Sequence, residues 1–85
     1  MRKQKVRKQG DIVFIEWIDS INNPGWNHKH ECTVEVAYCQ TVGFFVGETE
    51  DAICTALSRN CQEGVSPFAD LITIPKCSVK NISNL

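Results

Sequence analysis

No apolar run in these 85 residues approaches the ~20 that a membrane-spanning helix needs. The charged opening, Arg2 to Lys8, is followed by no apolar stretch of the kind that directs secretion. A cytoplasmic chain with no membrane contact is the expectation. CxxC pairs are missing, as are serine-hydrolase, phosphate-loop and dinucleotide signatures. A chain this short also has little room for a pocket that excludes water around a reaction, so no enzyme activity and no cofactor are expected. Basic residues are scarce beyond Gln9: four stand against all ten acidic ones, a local net charge of −6. Such a body is a poor surface for phosphate-rich polymers.

What is present is an ordinary globular composition, 42% hydrophobic, enough for one small core. Five cysteines, Cys32, Cys39, Cys54, Cys61 and Cys77, are an odd number without a secretory signal and read as free thiols. Arg2, Lys3, Lys5, Arg7 and Lys8 hold five of the nine basic charges. Residues 1–9 have no apolar periodicity and are expected to form a flexible basic tail, with one domain over 10–85.

From Asp11 the texture changes. Ile12-Val13-Phe14-Ile15-Glu16-Trp17-Ile18 is β-branched and aromatic, the chemistry of a strand covered on both faces. Residues 19–29 read as a loop, with Asn22-Asn23-Pro24-Gly25 as its turn. Residues 31–39 fit a strand or a short helix. Thr41 to Val46 is a second strand, in which Gly43 marks a bulge or a close backbone approach. Ala52 to Ser58 is a third strand, its alanines also compatible with helix. Residues 59–67 form a loop. Leu71 to Ile74 is a fourth strand that Pro75 ends, and a tight turn over 76–78 leads to a short fifth strand, Val79 to Ile82. This order is the layout of small SH3-like and Sm-like barrels, mainly β with five strands. Closure of such a sheet hides edges that a small chain cannot otherwise cover.

Residues 39–53, Ile72-Thr73-Ile74-Pro75-Lys76 with Val79 and Ile82, and the early strand with Trp17 and Trp26 together resemble a group of short uncharacterised proteins of bacteriophages and prophages. The resemblance covers roughly residues 11–85. It implies an accessory protein, in the cytoplasm of an infected or lysogenic bacterium, that antagonises a host defence system by binding. A host protein or a small anionic signalling nucleotide held between subunits of a homo-oligomer is the implied partner.

Trp26 follows a turn in a polar loop, where an aromatic ring either caps the core or makes a contact. Arg59 and Lys76 fall at strand ends, placed to line one rim and neutralise a phosphate. These three are the candidate ligand-binding residues. One alternative is nucleic-acid binding through the arm residues Arg2, Lys3, Lys5, Arg7 and Lys8. Another is a zinc-stabilised structural domain, with His28, His30, Cys32 and Cys39 offering nitrogen and sulfur donors.

Overall fold

A computed structural model describes residues 7–32, 34–64 and 67–85. Five strands follow one another along the chain: β1 (Ile12–Asp19), β2 (Ala37–Glu48), β3 (Ala52–Arg59), β4 (Phe68–Pro75) and β5 (Val79–Asn84). Short 3₁₀ turns lie at Lys29–Glu31 and Lys76–Ser78. All strand pairings are antiparallel, and the strands form one open sheet in the order β4-β3-β2-β1-β5. Among the described residues no helix is long and apolar enough to cross a membrane.

The alternation of side chains decides which face carries the core. Val13 and Ile15 are completely buried on one face of β1, with Trp17 two residues further along. Their cross-strand neighbours on that face are small or polar on β2 (Gly43, Thr41 and Cys39), whereas on β5 Ile15 and Trp17 face the apolar Ile82 and Val79 and Val13 faces Asn84. Phe45, Ile53 and Ile74 complete the cluster from β2, β3 and β4. Small residues beneath the bulky β1 side chains let the sheet curve around them. The Trp17 indole keeps its polar end satisfied by donating to Thr41 Oγ1 at 2.9 Å.

Two backbone devices shape this curve. The β2–β3 register shifts between Phe45 and Gly47, a bulge that bends β2. At Gly43 a Cβ would lie 2.9 Å from the Ala56 carbonyl oxygen and 3.2 Å from Thr55 Cβ, so only glycine fits. The close approach expected of Gly43 is present, and the bulge lies nearer the strand's end.

The structure settles the stretch 31–39, bears out the strand reading of Ala52 to Ser58 and moves the start of β4. The open stretch 31–39 divides: Lys29–Glu31 is a 3₁₀ turn, and Ala37 to Cys39 join β2, drawn in by the Asp19–Ala37, Ile18–Tyr38 and Trp17–Cys39 pairings. Ala52 to Arg59 is strand rather than helix because β2 and β4 flank it. β4 begins at Phe68, three residues before its apolar run, because the ladder persists to Arg59–Phe68. Asp70 takes φ 58 within β4, the left-handed region that Asp tolerates better than bulky residues do.

Part of the expected basic tail is joined to the body. Residues 1–6 lie outside the described residues, but Arg7, Lys8 and Gln9 lie against the sheet. Gln9 Nε2 donates to the Val46 carbonyl at 3.2 Å, and Gly10 N donates to the Phe45 carbonyl at 2.8 Å. A tight turn orients this segment. Asp11 N donates to the Lys8 carbonyl, the Asp11 carboxylate accepts from Lys8 N, and Gly10 supplies the positive φ of 93.

Candidate functional site

β1 and β2 separate after the Asp19–Ala37 pair, and residues 20–36 form a 17-residue connection with one short 3₁₀ turn. Connections of this length with so little structure of their own are commonly binding loops. The Pro24-Gly25 turn forms as the sequence suggests, with Gly25 at φ 82. Asn27 Nδ2 donates back to the Gly25 carbonyl at 3.2 Å. Trp26, held between them, is fully exposed, which makes it a surface residue and not a lid on the core.

Other apolar residues of the same connection are exposed as well. Ile21, Val34, Val36 and, at the root of the loop, Tyr38 are all exposed. Val34, Glu35, Val36 and Tyr38 line an open cleft of about 390 Å³. Among the described residues a single stretch of chain lines it, so it suits a protruding side chain better than it encloses a small ligand. The Lys80 ammonium lies 5.7 Å from the centre of the Tyr38 ring, a cation–π contact from β5. Nothing in composition distinguished this loop from a solvated one. Its signal was length combined with four large apolar residues and no core position for any of them.

The other candidate residues do not converge on it. Arg59 ends β3 and Lys76 follows β4, but an antiparallel hairpin sets those two ends apart. From the Ala52–Pro75 pair to the Arg59–Phe68 pair is roughly 23 Å along the ladder. The Arg59 guanidinium lies against Gly10, where a Cβ would stand 2.5 Å from its nitrogen. Lys76 Nζ donates to Glu48 Oε1 at 2.6 Å, and Arg7 reaches the same carboxylate at 3.2 Å while lying 5.9 Å from the Phe45 ring centre. Lys76 and Arg7 are therefore both partnered by one glutamate, which clasps the N-terminal segment to the turn before β5. Of the remaining arm residues, Lys8 is described and Arg2, Lys3 and Lys5 are not.

That clasp has an acid-sensitive side. The hydrogen bond from Lys76 is the largest influence on the Glu48 carboxyl and, with the charge of Arg7, holds it below its ordinary value of 4.5 against the opposing effect of burial. A depressed carboxylate contributes stability above its unfolded pKa and loses it as pH falls through the folded one. The groups are partly solvated, so the contribution is about 0.5 kcal/mol or less. Glu48→Gln is expected to melt slightly below the parent at pH 6 and level with it at pH 3. A gap that widens on acidification would contradict this assignment.

The four zinc candidates are only partly assembled. The His28 and His30 rings stack with centroids 5.6 Å apart, and the Cys32 thiol donates to the His28 carbonyl at 3.4 Å. Cys39 lies on β2 opposite Trp17. Among the described residues no three His, Cys, Asp or Glu side chains are grouped to hold a metal ion. All five cysteines are free, as their number suggested.

No family model matches the chain, and neither do any curated protein or solved structure.

Proposed function

We propose that this chain is a non-catalytic binding module that engages a partner protein through the 20–36 loop and Tyr38. The observation that carries the reading is the display of Trp26, Ile21, Val34 and Val36 on one projecting loop. Exposed tryptophan with aliphatic neighbours is the composition of an interface centre rather than of a solvated loop. The strand order, with a 3₁₀ turn before the last strand, supports closure into an SH3-like or Sm-like barrel as part of the same proposal. The resemblance to phage proteins supplies the setting: an accessory protein acting in the bacterial cytoplasm on a component of host defence.

Sequestration of a nucleotide by Trp26, Arg59 and Lys76 has less support, since these residues stand apart and Lys76 is committed to Glu48. Capture by the immobilised full chain, compared with its Trp26→Ala variant, separates these readings. A host protein retained by the parent and lost by the variant is the expected result, followed by calorimetry on the purified pair. The substitution is expected to weaken binding about 30-fold, equivalent to about 2 kcal/mol at an aromatic anchor. Thermal unfolding should not change. Tight binding of a cyclic or ADP-ribose-type nucleotide instead, or of nucleic acid with steep salt dependence, would replace this reading with one of its alternatives.

A further inference from the structure

A second cleft, of about 540 Å³, opens where the β3–β4 hairpin ends, and it shares no residue with the 20–36 loop or Tyr38. The ladder's last pair is Arg59–Phe68, and just beyond it Asn60 N donates to the Pro67 carbonyl at 2.6 Å. Two strand ends therefore line this cleft, at a size within the range of small-ligand sites, roughly 300–1,000 Å³. Directly paired residues share a face of the sheet, so the Arg59 and Phe68 side chains rise from the same side.

The guanidinium is held but not neutralised. It lies across Gly10: a Cβ there would stand 2.5 Å from Arg59 Nη1, 2.9 Å from Cζ and 3.3 Å from Nη2, so the missing side chain leaves the space that the guanidinium occupies. Gly10 is itself fixed by its bond to the Phe45 carbonyl and by the turn from Lys8 to Asp11. Lys76 and Arg7 share Glu48, whereas Arg59 makes no ion pair and no side-chain hydrogen bond among the described residues.

Around it the cleft supplies neutral donors and an apolar wall. The Ser58 hydroxyl is one donor. Asn60 Oδ1 accepts from Gln62 N at 2.8 Å, which leaves its amide nitrogen as the group that can donate. Pro67 and half-buried Phe68 form the apolar side. One guanidinium offsets one negative charge. A phosphate monoester carries about −1.5 to −2 at pH 7, and its excess would stand in the field of a body whose net charge is −6. A carboxylate carries a single charge and matches the guanidinium fork with two parallel hydrogen bonds.

We infer that the Arg59 cleft binds a small organic carboxylate whose flat apolar body packs on Phe68 and Pro67. The carboxylate accepts from Arg59, with Ser58 and Asn60 as flanking donors, and Gly10 positions the guanidinium. This site is independent of the loop contact proposed above, and either stands without the other.

Amide chemical shifts of the full chain, titrated with benzoate at neutral pH, test the assignment. Saturable shifts centred on Gly10 and residues 58–61 and 68–69 are the expected result. Benzamide, the neutral counterpart, should bind about tenfold more weakly or worse, and phenyl phosphate should also bind more weakly than benzoate. Arg59→Gln should weaken benzoate by the same factor while keeping the parent's circular dichroism, whereas Lys76→Gln and Trp26→Ala should leave it unchanged. If Arg59→Gln unfolds, Arg59→Lys, which keeps the charge and the stem but not the fork, should bind benzoate several-fold more weakly than the parent. No saturable shift with benzoate, equal binding of benzamide, or full affinity without Arg59 would overturn the site. Tighter binding of phenyl phosphate would overturn the carboxylate, and shifts centred on the 20–36 loop would overturn the location.

Discussion

Replacing Ile15 by Ala is expected to remove about 3 kcal/mol of folding stability. Ile15 is completely buried at the middle of β1, opposite Thr41 on β2 and Ile82 on β5. Truncation removes three carbons from the cluster formed with Val13, Phe45, Ile53 and Ile74. β1 is an interior strand held on both sides, so the cavity cannot close by a simple shift of β1. A chain of this size has roughly 4–13 kcal/mol in total, so the loss is a large fraction of it. Urea titration should show the midpoint falling steeply with an unchanged slope. A loss below about 1 kcal/mol would show that Ile15 is not enclosed as described.

Gly43→Val is expected to have an effect of comparable size, about 3 kcal/mol, by the opposite route. The obstacle is mainly the Ala56 backbone oxygen, which cannot rotate aside as a side chain can. Relief would require β3 to move away from β2, opening the sheet where it bends. Gly43→Ala makes a sharper test of sign. Alanine in a strand ordinarily stabilises relative to glycine by roughly 0.5–1 kcal/mol, whereas here it should destabilise. A Gly43→Ala protein that melts above the parent would disprove the close approach.

The two substitutions rest on signals of different legibility. The β1 run of branched and aromatic residues was readable because it is apolar on both faces, and the structure places it in the interior of the sheet, paired on each side. The 22–25 turn and the tight turn after Pro75 were readable from the fixed geometry of proline and glycine. The start of β2 was not. Residues 31–39 alternate only partly, and their state is decided by distant partners on β1. The strand reading starts at Leu71 because Asp70 interrupts the apolar run, whereas the ladder resumes beyond Asp70 at Ala69 and Phe68.

The candidate site was less legible still. Arg59 and Lys76 were each read correctly as lying beside strand ends. Antiparallel connectivity, however, puts the end of one strand and the end of the next at opposite ends of their hairpin. That inference was available from the strand order alone. The exposure of Trp26 was not, because an aromatic after a turn can fold inward or outward and only the surrounding packing decides.

The interior position of β1 has a consequence for the order of folding. β1 is the first of the five strands to be synthesised, yet one of its two neighbours, β5, is the fifth. The Asn84 amide donates to the Asp11 carboxylate at 3.1 Å, and Leu85 N donates to the Ile12 carbonyl at 2.8 Å, so contacts span more than seventy residues. Long-range pairings of this kind slow folding into the millisecond-to-second range. Until residue 79 and its successors emerge, the nascent chain carries its most apolar strand with one bare edge, a state that invites wrong pairing. Synthesis and protection are thus coupled: β1 is shielded on both edges only once β5 has been made.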